Sequence, residues 1–129
     1  MSPDPTPEAV AQLRLRYEVT AFLAERYFDE GFSVVVQDLI LGPWLTRYLT
    51  LLQRRPLYVV VLTPRVDVAL ARDAARAKSG YTLWAARELD QILRRATPRV
   101  GLWLDNSDLT PNETVEQILG RARREGAVA

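Results

Sequence analysis

Residues 57–64 read LYVVVLTP, and this stretch decides the fold that the sequence predicts. The apolar run over 57–62 shows no alternation, which is typical of a strand covered on both faces in a parallel sheet. Thr63 and Pro64 then give a helix-start signal, because threonine can cap a helix and proline suits its first position. We therefore expect a buried strand followed by a helix that runs to about residue 78.

Two more stretches have the character of buried strands. The β-branched run Val34–Val36 precedes the deciding stretch, and the apolar run Val100–Leu104 follows it. Apolar residues at steps of three or four predict helices around them, over 7–30, 43–53, 84–95 and 111–125. Strands that alternate with helices indicate one α/β domain over residues 1–129 with a parallel, layered sheet.

The first and last helices carry the clearest start signals. Thr6 and Thr110 each precede a proline, and Glu113 completes a capping box with Thr110. One apolar face of the first helix is marked by Val10, Leu13, Tyr17, Ala21, Ala24 and Phe28. Gly31 ends this helix.

The composition excludes several classes of function. The chain has 17 basic and 16 acidic side chains, which argues against a nucleic-acid partner because such a surface needs an excess of Lys and Arg. It has no Cys and no His, which removes disulfides, thiol nucleophiles and the commonest metal ligand. No uncharged apolar stretch of about 18 residues and no secretion leader occur, so we expect no membrane contact and a cytoplasmic location.

Two aspartates follow predicted strands. Asp38 lies where the strand over 34–36 ends, at the sheet edge where α/β folds bind ligands. Its carboxylate either holds Mg²⁺ or caps the next turn, and position alone does not separate these alternatives. For Asp105, which precedes Asn106-Ser107-Asp108, turn chemistry is the favoured interpretation.

The helix after Pro64 carries a row of arginines. Arg65, Arg72 and Arg76 are separated by seven and four residues, so they share one helix face. Guanidinium groups on such a face could clamp phosphate oxygens, or the face is solvated and Asp73 pairs with Arg76. A phosphate-cradling loop is absent, because the six glycines are scattered and neither G-x-x-x-x-G-K nor G-x-G-x-x-G occurs.

Four segments together resemble the later part of the chloramphenicol phosphotransferase-like family of P-loop kinases. They are residues 31–38, 59–64, 71–81 and 101–107, and the resemblance runs from about residue 10 to 120. It implies a three-layer P-loop kinase-like sheet, ATP and Mg²⁺ as cofactors, and transfer of a phosphoryl group to a hydroxyl of a small molecule. By this resemblance Asp38 is the acid that assists Mg²⁺, and Arg72 and Arg76 are lid arginines that cover the phosphate.

The first two strands of the family pattern, and the phosphate loop between them, are missing. In the family sheet the strand order is 2-3-1-4-5, so the absent first strand belongs between Val34–Val36 and residues 57–62. Without this first strand, the strands on either side of it each have a row of unpaired backbone groups. The remaining strands close up, a strand-donating partner or second copy fills the gap, or the chain is a piece of a longer reading frame.

Two functions of different classes follow. The first is a small-molecule phosphotransferase that is inactive alone because it lacks nucleotide binding. The alternative is a non-catalytic binding or assembly module that accepts a strand from a partner or from a second copy.

Overall fold

The computed structural model describes residues 6–74 and 83–129. Within these residues the chain forms five α-helices and one two-stranded sheet. The elements in chain order are α1 (Pro7–Asp29), α2 (Trp44–Leu51), β1 (Val60–Leu62), α3 (Val66–Ala74), α4 (Leu83–Ala96), β2 (Leu102–Leu104) and α5 (Pro111–Arg121).

The sheet joins two of the three predicted strands. β1 and β2 run parallel, with Val60 opposite Leu102 and Leu62 opposite Leu104. Gly101 allows the close approach, because its φ is +84° and a β-carbon there would overlap the Val59 carbonyl oxygen. The prediction that the strands over 57–62 and 100–104 are parallel is confirmed.

The C-terminal residues extend this sheet. A π-helical turn, Ala122–Gly126, follows α5. Tyr58 then forms an antiparallel bridge with Ala127, and the Val59 N–H donates to the Gly126 carbonyl at 2.8 Å. The end of the chain therefore lies against the start of β1.

The predicted three-layer P-loop kinase-like sheet is wrong. The described residues show only β1 and β2, and the run Val34–Val36 forms no strand. β-Branched residues favour strand geometry, but a strand also needs a neighbour whose backbone groups it can pair with. No described strand lies beside this run, so helices account for most of the regular structure.

Local end signals are confirmed for two helices. Thr6 accepts a hydrogen bond from the Ala9 N–H at 3.1 Å, and Thr110 and Glu113 form the capping box. α3 begins at Val66, two residues later than Thr63 and Pro64 predicted. The Arg65 N–H donates to the Ser107 hydroxyl at 2.8 Å instead, which ties this stretch to the loop after β2.

A core forms where α1 crosses α2. Tyr17 and Ala21 are buried against Tyr48, and the Tyr17 and Tyr48 rings meet edge to face at 5.4 Å. The predicted apolar face of α1 is therefore confirmed at its centre, whereas Phe28 near its end is 36% exposed. No described helix is both long enough and apolar enough to cross a membrane.

Candidate interaction surface

Residues 33–37, which we call the valine segment, form no backbone hydrogen bond with any described residue. Val35 is 92% exposed, whereas its neighbours Val34 and Val36 are 38% and 40% exposed. This alternation is typical of a strand with one face on the molecule and the other in solvent. Isolated exposed apolar residues are common, but a run of three with an unpaired backbone is informative.

The valine segment is held at its N-terminal end. Gly31 has a φ of +95°, which turns the chain at the end of α1. The Phe32 N–H donates to the Tyr27 carbonyl at 3.1 Å, and the rings of these two residues pack edge to face at 5.8 Å. Both rings are more than half exposed.

The C-terminal end is held more extensively. Arg16 donates two hydrogen bonds to the Asp38 carboxylate, and the Leu39 N–H donates to the same group at 2.7 Å. The Tyr17 hydroxyl donates to the Leu39 carbonyl at 2.8 Å. Further along, the Gly42 N–H donates to the buried Thr97 hydroxyl at 2.7 Å.

β1 presents a second set of unpaired backbone groups. Leu102 donates to the Val59 carbonyl and Thr63 donates to the Leu104 carbonyl, so the odd-numbered residues of this stretch face β2. Because backbone groups alternate along a strand, Val60 and Leu62 face the outer edge. No described residue bonds to them there, and the Leu62 side chain is 42% exposed.

α1 has a second apolar face that the rest of the described chain leaves open. Leu15, Val19 and Phe22 recur at steps of four and three and are 60%, 47% and 65% exposed. They lie opposite the Tyr17–Ala21 face. A helix that is apolar on both sides is typical of one that is packed on both sides.

The predicted site residues take part in separate networks. Asp38 is engaged by Arg16, as above. Arg72 donates from Nη2 to the carbonyls of Asn106, Ser107 and Leu109, at 2.8, 3.2 and 3.2 Å. Arg76 lies outside the described residues. The structure therefore joins Asp38 to α1 and Arg72 to the loop after β2, and no described contact links the two.

The loop after β2 behaves as its turn residues predicted. Asp105 accepts hydrogen bonds from the Ser107 hydroxyl and from the Ser107 N–H, the latter at 2.9 Å. These bonds hold the pKa of Asp105 below its usual value. Among the described residues no group of three or more acidic side chains is placed to hold a metal ion.

Two open clefts are lined by residues outside the valine segment. One of about 290 Å³ is lined by Arg14, Glu18, Trp44 and Arg47 between α1 and α2. The other, of about 180 Å³, is mostly apolar and lies between α3 and α4. Leu39 and Leu41 line this second cleft, whereas Ile40 and Trp44 pack on the Tyr17 core.

Sequence reasoning missed Arg16 as the partner of Asp38, because the two are 22 residues apart and no local pattern joins them. The second face of α1 had a signal, the spacing of Leu15, Val19 and Phe22. Comparison of the chain with family models, with curated proteins and with solved structures found no match, so the phosphotransferase resemblance stays a prediction.

Proposed function

We propose that this chain is a non-catalytic binding module that takes up an extended segment from another polypeptide. The observation that carries the proposal is the valine segment, whose backbone groups have no described partner and whose central side chain, Val35, is 92% exposed. An unpaired run of this kind is a template for strand addition, since each residue of an added strand satisfies donors and acceptors.

The outer edge of β1 supports the same function. Val60 and Leu62 offer a second short row of backbone groups beside an exposed apolar side chain. The outer edge of β2 offers fewer unpaired backbone groups, because within this strand only the backbone of Trp103 faces outward. The Trp103 ring also lies against the Arg99 guanidinium. β1 is therefore the better acceptor of the two strands.

The open face of α1 offers further apolar surface that a bound polypeptide could cover. Burial of apolar surface contributes about 25 cal/mol per Å². Leu15, Val19 and Phe22 are all close to half exposed or more, so a polypeptide covering them would gain substantially from their burial. Backbone pairing would give such a complex its register, and apolar burial would give it affinity.

A peptide-binding experiment tests strand uptake. The probe is a fluorescent peptide of about ten residues that alternates threonine and valine, and the control carries proline at its two central positions. We expect saturable anisotropy for the first peptide, no binding of the second, and amide NMR shifts at Val60, Leu62 or residues 33–37. Equal binding of both peptides, or binding of neither, contradicts the proposal.

Phosphoryl transfer from ATP remains the prediction of the sequence resemblance. The contacts of Asp38 and Arg72 within the chain do not favour it, since both side chains are engaged by protein groups. Calorimetry with ATP and Mg²⁺ tests it directly. Micromolar binding that Asp38→Ala abolishes would favour the phosphotransferase over the binding module.

A further inference from the structure

We infer that the occupant of the valine segment is the same segment of a second copy, paired antiparallel about a two-fold axis at Val35. This inference rests on the proposed function and specifies the partner. The segment is both exposed and unpaired. Each copy therefore offers a free strand edge, and each lacks a neighbouring strand that the other could supply.

The sequence of the segment suits pairing with itself. With Val35 opposite Val35 of the second copy, Val34 lies opposite Val36, and Ser33 lies opposite Gln37. One face of the ladder then pairs valine with valine at two positions. The other pairs the central valines, with a polar Ser–Gln pair on either side, as expected for a face in contact with water.

The charges also permit this register. Residues 31–37 carry no ionisable side chain, so no like charges are brought directly opposite one another within the ladder. Asp38 lies opposite Phe32 of the second copy, and its charge is already compensated by Arg16 of its own chain. A slip by one residue would place Val36 opposite Ser33, or Val34 opposite Gln37, so the register centred on Val35 is the one that pairs every valine with a valine.

The surroundings of the segment continue the apolar surface. Phe32 is 58% exposed and Leu39 is 48% exposed, and the two-fold axis brings Phe32 of one copy beside residues 38 and 39 of the other. Two such short segments bury a small area. We therefore expect a reversible dimer rather than an obligate one.

Light scattering over a range from about 1 µM to about 1 mM tests the inference. The wild-type chain should pass from monomer to dimer, and Val35→Lys should weaken the dimer by about tenfold or more, since it places two positive charges across the axis. Val35 is 92% exposed, so this substitution leaves the fold intact, and a thermal melt verifies that. Leu119→Lys, at a 75% exposed position on α5, is the matched control.

A charge-swap pair gives the sharpest readout. Val35→Lys and Val35→Glu should each dimerise about tenfold or more weakly than the wild-type chain, and an equimolar mixture should form a heterodimer at concentrations where neither variant dimerises alone. Unchanged association of Val35→Lys, or no heterodimer in the mixture, overturns the inference. A wild-type chain that is monomeric throughout also overturns it, whereas peptide binding by that monomer would leave the proposed function standing.

Discussion

The Arg16 guanidinium donates two hydrogen bonds to the Asp38 carboxylate, from Nε to Oδ2 at 3.1 Å and from Nη2 to Oδ1 at 3.0 Å. The pair joins the middle of α1 to the end of the valine segment. The Asp38 side chain is the less exposed of the two, at 15% against 51% for Arg16. Two-point pairing of this kind fixes orientation as well as distance.

Asp38→Ala separates a structural from a ligand-binding role. It removes the acceptor of the Arg16 pair and of the Leu39 N–H, so we expect a loss of about 1–2 kcal/mol in the free energy of unfolding. Arg16→Ala should cost less, about 0–1 kcal/mol, because the Arg16 side chain is half exposed and Asp38 keeps its bond from the Leu39 N–H. Urea denaturation measures both. A gain in stability for Asp38→Ala would instead indicate a carboxylate kept for function at the expense of stability.

Arg72→Ala should destabilise the loop after β2. The three carbonyls that Arg72 contacts lose a charged donor, and we expect a cost of about 1–3 kcal/mol. Arg95→Ala is the control, because Arg95 is exposed on α4 and its side chain forms no hydrogen bond or ion pair with the described residues, so its loss should change stability by no more than about 0.5 kcal/mol. Equal effects of the two substitutions in urea denaturation would show that the contacts of Arg72 do not stabilise the fold.

Gly101→Ala should weaken the sheet. Its φ is +84°, and the new β-carbon would collide with the backbone of Val59, so a loss of about 2 kcal/mol or more is expected. Gly120→Ala is a matched control in α5, where nothing lies within 4 Å of the added carbon. It should raise stability by about 0.5–1 kcal/mol. Thermal unfolding of both variants should therefore give shifts of opposite sign.

The pKa of Asp105 should depend on Ser107. The serine hydroxyl and N–H hold this pKa below its usual value, so the ionised carboxyl stabilises the fold above the pKa of the unfolded chain. That stabilisation is lost as the pH falls through the folded-state pKa. Ser107→Ala removes the hydroxyl alone, and we expect the Asp105 pKa to rise part of the way to its usual value.

Carbon-13 NMR titration of the Asp105 carboxyl measures this shift. Ser107→Thr keeps a hydroxyl at the same place and serves as the control. An Asp105 pKa that is the same in the alanine variant and the wild-type chain would show that the hydroxyl contact does not hold it down.

The features that could be predicted from sequence are those with local causes. Thr6 and Thr110 cap their helices because the partners lie three residues away, and the apolar runs around Val60 and Leu102 pair because each suits a buried parallel strand. The valine segment has the same propensity and remains unpaired. Pairing depends on what lies beside a run in space, and nothing in residues 34–36 encodes that neighbour.

The candidate site was less predictable than the helices, for a related reason. The sequence placed Asp38 after a strand that does not form and Arg72 on a helix face, and it could not give their partners, which lie 22 to 37 residues away. Such contacts depend on how helices pack. The second apolar face of α1 was visible in the spacing of Leu15, Val19 and Phe22, but a periodic pattern does not say which of two faces the chain itself will cover.

The ties at both ends of the valine segment have a thermodynamic consequence. Phe32 is bonded to Tyr27, and beyond Asp38 the chain is fixed by Tyr17 and Thr97, so only a few residues between these points have conformational freedom left to lose. These residues therefore lose most of their conformational entropy when the chain folds, and they have little left to lose when a second strand binds. Pre-organisation of this kind strengthens association without adding a contact. A substitution that removes the Thr97 hydroxyl should therefore weaken the proposed pairing, because it releases the anchor at Gly42.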